Sequence, residues 1–188
     1  MSAERASARM NVDEFLAWAE KRPGRYELEG GVVVGMSPER TRHAEAKAAV
    51  HSTLYGAVKA AGVPCRVLPD GMTVRIDDQT AFEPDALVYC GKRLPGDAVE
   101  VPDPMVVVEV LSPGTRSLDA GAKLSGYMSR ETIAHILLID PGKRVLIHHR
   151  RKETALFETR VLATGRLRLD PPGVEFEVGD LFGEPEDR

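Results

Sequence analysis

The run Pro104-Met105-Val106-Val107-Val108-Glu109-Val110-Leu111-Ser112 constrains this chain more than any other stretch. It is nearly continuous in β-branched residues and is closed by Ser112-Pro113-Gly114, so it reads as a strand buried on both faces and ended by a turn. Side chains alternate along a strand, so Val107, Glu109 and Leu111 share one face and Val106, Val108 and Val110 the other. Glu109 sits in the middle of this apolar run. A carboxylate so placed is costly unless it is neutralised, paired or coordinated to a cation. Pairing with a core arginine is the ordinary solution for an isolated glutamate; the neighbouring segments shift the reading toward a metal site.

The chain suits one domain spanning 1–188, with residues 1–10 as a frayed polar end. Its net charge of -4 supplies no global basic field, which argues against nucleic-acid binding through overall charge and leaves room for a local basic groove. Cys65 and Cys90 lack a CxxC spacing and read as reduced core thiols in a cytoplasmic protein. No apolar run reaches the ~18 residues that a membrane span needs. The first ten residues carry charge rather than the apolar core of a signal peptide.

Along the chain, Asn11 is placed to cap a short helix with Val12, Phe15, Leu16 and Ala19 as its apolar stripe. Arg25–Leu28 and Val32–Met36 alternate around Gly30-Gly31 as a hairpin. Ser37-Pro38 is positioned to open the longest helix, with Ser as N-cap and Pro at the first helical position, running to about Gly62. The inward stripe of that helix is Val50, Leu54, Ala57 or Val58, and Ala61. Carried back, the stripe meets Lys47 and His43, either because the helix end emerges into solvent or because both look into a cleft at the sheet edge.

Three strands are expected next, Cys65–Leu68, Met72–Ile76 and Phe82–Tyr89, and Pro84 should bend the third just where Asp85 begins. A helix follows over Arg116–Arg130, with Asp119, Lys123 and Tyr127 as one polar stripe and two glycines, Gly121 and Gly126, that imply close packing on the sheet. Taken alone, Asp119 and Lys123 form a solvated surface pair. The last third reads as hairpins from His135 to Phe182. His148-His149-Arg150-Arg151-Lys152 would be a solvated hairpin end, with phosphate contact as the second reading. No phosphate-binding glycine loop, HExxH or GxSxG is present.

Asp85 and Glu109 lie on strands expected to be neighbours, because sequential strands usually pair. Two carboxylates on one face, without a basic partner between them, repel unless a cation joins them. Oxygen ligands favour Mg²⁺ or Mn²⁺ over zinc. Lys123, on the helix leaving the Glu109 strand, is then placed to stabilise charge developing on a phosphate.

Glu83-Pro84-Asp85, Val108-Glu109-Val110-Leu111-Ser112-Pro113, Asp119-x-x-x-Lys123-x-x-x-Tyr127 and Leu138-Ile139-Asp140-Pro141 occur in this order. Together with Arg25-Tyr26-Glu27-Leu28, Gly31, Met36-Ser37-Pro38 and His43, they resemble the Uma-two family of bacterial endonucleases. That family falls within the restriction-endonuclease-like PD-(D/E)XK superfamily, and the likeness covers about Tyr26 to His149. The resemblance implies an α/β (α+β) fold with a central mixed β-sheet flanked by helices and extra β-hairpins. It implies Asp85 and Glu109 as metal ligands and Lys123 in place of the lysine that Leu111 does not supply, with Glu27 and His43 bordering the site. Lys47 and Tyr127 lie beside these on the two helices. Ala134-His135-Ile136-Leu137 departs from the family, which usually carries an acidic residue and aromatics there.

The expected function is a Mg²⁺- or Mn²⁺-dependent endonuclease acting on nucleic acid, DNA first, in the cytoplasm, without a membrane and with self-association left open. The alternative is a non-catalytic nucleic-acid- or protein-binding module that keeps the nuclease fold; the absent strand lysine favours it, and Asp85, Glu109 and Lys123 favour the enzyme. A glycosidase-like carboxylate pair ranks last, because nothing aromatic surrounds it to stack a sugar.

Overall fold

In the computed structural model, which describes residues 9–111 and 119–183, the valine-rich run is a strand at the centre of a six-stranded sheet. The elements in order are α1 (Val12–Ala19), β1 (Tyr26–Glu29), β2 (Val32–Gly35), α2 (Thr41–Ala61), β3 (Cys65–Pro69), β4 (Val74–Asp77), β5 (Thr80–Phe82), β6 (Ala86–Cys90) and β7 (Pro104–Val110). There follow α3 (Asp119–Ser129), β8 (His135–Asp140), β9 (Val145–Glu153), β10 (Leu156–Leu162), β11 (Arg166–Leu169), β12 (Val174–Glu177) and a 3-10 helix (Val178–Phe182). The large sheet runs β10-β9-β8-β7-β6-β3, a smaller one β2-β1-β5-β4, and β11 pairs with β12. Only β7 and β8 are parallel within the large sheet, so the central sheet is mixed, as expected.

Both faces of β7 are covered. Val106, Val108 and Val110 join the apolar cluster under α2, while Val107 and Leu111 join the cluster that holds Leu124, Tyr127 and Met128 of α3. The expected alternation therefore holds, and the two helices cover opposite faces. α1 is capped as expected: the Asn11 side chain accepts the Glu14 N–H, and the Glu14 carboxylate accepts the Asn11 N–H, each at 2.9 Å. In the β1–β2 hairpin both turn glycines take positive φ, 54° at Gly30 and 82° at Gly31, which the tight turn requires. Met10, expected at the frayed end, donates its N–H to the Gly31 carbonyl at 2.9 Å. Among the described residues, no helix is long and apolar enough to cross a membrane.

Several expectations need correction. The Phe82–Tyr89 strand is two strands in two sheets, β5 and β6, because Pro84 has no N–H to offer a ladder and the chain passes from one sheet to the other there. α2 starts at Thr41 with Arg40 as N-cap, not at Ser37-Pro38. The Glu39 carboxylate reaches Lys47 and Arg25, and these ion pairs hold the approach to the helix extended. α3 is seen from Asp119; the earlier part of the expected Arg116–Arg130 helix lies outside the described residues. The Asp180–Phe182 segment is 3-10 helix rather than strand.

Cys65 and Cys90 are not separate thiols but a disulfide, because they are register partners across β3 and β6. The basic run is not a solvated hairpin end either: His148 and His149 are buried within β9. The Arg151 guanidinium donates to the carbonyls of Met128 and Arg130 at 2.8 Å and of Ile133 at 2.9 Å, tying the last turn of α3 to the sheet.

His135, which breaks the family pattern, fills its place by a histidine pair. Its Nε2 donates to the Pro171 carbonyl at 2.8 Å, which leaves Nδ1 to accept from His148 Nε2 at 2.9 Å. Burial pushes the His135 imidazole down to about 4. Burial, with the charge of its neighbours, pushes His148 down to about 3. Between about pH 6.5 and these values the unfolded chain binds protons that the folded chain does not, so stability falls as pH falls. From pH 7 to 5 the pair should cost about 2 kcal/mol or more of unfolding free energy. Urea titrations should show a smaller drop in the His135→Gln, His148→Gln double variant. Glu109 works in the opposite sense but is common to both proteins; equal drops would refute the assignment.

Of the two α3 glycines, only Gly126 meets a neighbour: an added Cβ would lie 2.7 Å from Phe82 Cε2, whereas at Gly121 it would find open space. Gly126→Ala should therefore destabilise by about 1–3 kcal/mol through overpacking. Gly121→Ala should be neutral or stabilising by up to about 1 kcal/mol through helix propensity. Thermal melts of both variants check the contrast.

Candidate active site

β7 ends where its partner β6 has not yet begun. Asp85, just before β6, gives its N–H to the Val108 carbonyl at 2.9 Å. Its carboxylate Oδ2 accepts the Val110 N–H at 2.7 Å. His43 of α2 faces the Val110 carbonyl oxygen through Nε2 at 2.8 Å and lies 3.8 Å from Asp85 Oδ2. The site is thus built on the end of the strand from which the sequence reading began.

Around Glu109 the groups come from α3 and β1. Tyr127, fully buried, donates its hydroxyl to Glu109 Oε1 at 2.6 Å. Lys123 Nζ lies 3.3 Å from Oε1 and 3.4 Å from Oε2 of the same carboxylate, and 2.7 Å from Glu27 Oε1. Glu27 Oε1 also accepts the Glu83 N–H at 2.8 Å. Around Asp85 the groups come from α2: Lys47 Nζ approaches Oδ1 at 3.3 Å and also bonds Glu39 and Asp70. Arg25 closes this side, with Nε donating to Glu83 Oε1 at 2.6 Å and Nη1 to Asp70 Oδ2 at 2.5 Å.

The electrostatics follow from this crowding. Burial pushes the Glu109 carboxyl up to about 7; Lys123 and the Tyr127 hydroxyl pull it back, while the Asp85 and Glu27 charges push with burial. Burial disfavours the Lys123 ammonium, but Glu109, Glu27 and Asp85 outweigh it and hold the group well above an ordinary lysine. Burial, then Glu109, raises the Tyr127 hydroxyl well above the usual phenol range. Lys47 is raised against burial by Asp70, Glu39 and Asp85. Asp70 and Glu39 are lowered against burial, chiefly by Lys47.

Asp85, Glu109, Lys123, Glu27, His43, Lys47 and Tyr127 are therefore brought together at one end of the sheet. One expectation fails: the two carboxylates are not without basic partners, since Lys47 meets Asp85 and Lys123 meets Glu109. Lys123 has acidic partners on the sheets, so it is no free surface lysine. Leu111 packs into the cluster on the α3 side of the sheet. Arg25, Glu39, Asp70 and Glu83 were not anticipated as members. Glu39 stood four residues before His43 and eight before Lys47, a helical spacing that pointed toward them; Asp70 looked like a turn residue and gave no signal.

Over nearly its whole length the chain is similar to known proteins. A protein of Anabaena variabilis ATCC 29413, described as a putative nuclease belonging to DUF820, has a solved structure with the same fold. The TM-score is 0.71 at 20% identity, covering 92% of this chain and 97% of that one. An uncharacterized protein of Synechocystis sp., slr1290, is 24% identical over 176 residues, 93% of this chain and 92% of its own. The model of the Uma2 (Uma-two) family, described as "Putative restriction endonuclease", matches residues 12–179. With nearly the whole chain matched, from α1 through the start of the 3-10 helix, the protein belongs to the Uma2 family of nuclease-like proteins.

Proposed function

We propose that this protein is a divalent-metal-dependent endonuclease that hydrolyses phosphodiester bonds of nucleic acid, DNA first. One observation carries the reading: Asp85 and Glu109 meet at the ends of adjoining strands with the Lys123 ammonium 3.3 Å from Glu109. The donor set fits a hard cation. Glu27, Glu39, Asp70, Glu83, Asp85 and Glu109 outnumber Arg25, Lys47 and Lys123 six to three. Such an excess of carboxylate oxygens suits Mg²⁺ or Mn²⁺. Asp85 and Glu109 would hold the ion, which when bound neutralises charge at the phosphate.

The chain's own groups have separate tasks. Val110 N–H fixes the Asp85 carboxylate, and Tyr127 fixes that of Glu109. Lys123 offers its ammonium beside both, where it would stabilise charge on the scissile phosphate. Glu27 and Lys47 hold these partners in register from β1 and α2. The binding-module alternative draws on Lys123 being engaged by Glu27 and Glu109, and on Leu111 at the strand lysine position.

Mn²⁺-dependent cleavage of double- and single-stranded DNA and RNA tests the reading. Wild type should cleave at least one substrate and Glu109→Ala none. Lys123→Ala should lower turnover by about 10²-fold or more with smaller change in metal affinity. Full activity in Lys123→Ala sinks the lysine assignment; no cleavage by wild type favours the module. Millimolar Mn²⁺ should also raise the thermal midpoint of wild type by mass action. The shift should vanish in Asp85→Asn combined with Glu109→Gln; an undiminished shift places the metal elsewhere.

A further inference from the structure

His43 Nε2 faces the Val110 carbonyl oxygen at 2.8 Å. A carbonyl oxygen only accepts, so that nitrogen carries a proton, and in the neutral ring Nδ1 then keeps its lone pair. Nδ1 is shut off from solvent and has no hydrogen-bond partner, with Glu39 Oε2 3.7 Å away. An imidazole tied by one N–H to a backbone carbonyl, with its other nitrogen bare, is how metal-binding histidines are oriented. Glu39 Oε2 lies toward Nδ1 and Asp85 Oδ2 lies 3.8 Å from Nε2 of the same ring, and one donor atom from each of Glu39, His43 and Asp85 falls within 4.8 Å of the others.

Both acids are already steadied, Glu39 through the oxygen turned away from His43 and Asp85 through both of its oxygens. Glu39 Oε1 meets Lys47 and Arg25, leaving Oε2 toward the imidazole. Asp85 is held by the Val110 N–H and by Lys47. Glu39, Asp70, Glu83 and Asp85 surround Arg25 and Lys47, so four negative charges face two positive ones.

We propose that Glu39, His43 and Asp85 form a second cation seat, sharing Asp85 with the Asp85–Glu109 pair, which selects Mn²⁺ or Zn²⁺ over Mg²⁺. It deepens the nuclease reading and rests on it for the task of the ion. The selectivity follows from the ligands: an imidazole nitrogen suits Mn²⁺ or Zn²⁺ better than Mg²⁺, which takes oxygen and keeps its waters.

Mn²⁺ titration of the nucleic-acid-free protein, followed by electron paramagnetic resonance and calorimetry, tests the seat. His43→Ala and Glu39→Gln should weaken Mn²⁺ binding roughly tenfold or more. Glu109→Gln should lose the ion of the Asp85–Glu109 pair yet keep the one Mn²⁺ equivalent that depends on His43 and Glu39, and tenfold excess Mg²⁺ should leave most of that equivalent bound. His43→Gln keeps a donor for the Val110 carbonyl while removing the ring nitrogen, and circular-dichroism melts confirm which variants are folded. No Mn²⁺ binding by wild type, undiminished binding in folded His43→Gln and Glu39→Gln, or loss of every Mn²⁺ equivalent in Glu109→Gln each overturns the seat. Binding as expected without cleavage of any nucleic acid removes the nuclease reading and leaves the seat standing. Cleavage with unchanged Mn²⁺ binding in the His43 variants does the reverse.

Discussion

Everything at the candidate site depends on what happens to the backbone of Val110. Pro84 stops the pairing of β6 with β7, so the last peptide groups of β7 are left without a strand partner on that side. A buried N–H or C=O must still be bonded. The Asp85 carboxylate takes the Val110 N–H and His43 takes the Val110 carbonyl. A defect in strand pairing thereby becomes the device that fixes one acidic group and one imidazole at the sheet end.

The second constraint is charge. Asp85 and Glu109 occupy places where an uncompensated carboxylate would cost several kcal/mol. Lysines from the helices on opposite faces, Lys47 of α2 and Lys123 of α3, compensate them. Such pairs are weak evidence of stability, since their desolvation offsets much of their attraction. Apolar residues would serve the fold as well. The proposed cation and phosphate would answer the excess of six acids over three bases in this cluster.

Much of this was legible in the sequence because periodicity is a local property. Alternation along Met105–Leu111 assigned each side chain to its face, and the stripe of α2 led back to Lys47 and His43. The family pattern marked Asp85, Glu109 and Lys123, which the fold gathers at one place. What stayed hidden depends on contacts distant in sequence. Asp70 joins the site only because β3 delivers it beneath Lys47 and Arg25. The start of α2 moved because ion pairs of Glu39 outweighed the intrinsic preference of Ser37-Pro38 to open a helix. Cys65 and Cys90 met because their strands align in register, which no spacing rule foretells.

On the proposed reading, the missing strand lysine is replaced through space rather than by sequence position. Leu111, on the face of Glu109, spends its side chain on the apolar cluster beneath α3. The ammonium comes instead from α3, whose residues Lys123 and Tyr127, one helical turn apart, both reach Glu109. A strand lysine would be positioned by its own ladder, whereas Lys123 is positioned by how α3 docks. Two contacts set that docking: Gly126 lets the helix lie against Phe82, and Arg151 clamps its last carbonyls. Placing the lysine on a helix therefore couples the charge at the site to the packing of that helix, from Gly126 within a turn of Lys123 to the carbonyls held by Arg151. The contact of Gly126 with Phe82 becomes part of the site's geometry, because the Phe82 ring lies 5.7 Å from the Lys123 ammonium and packs edge-on against Tyr127.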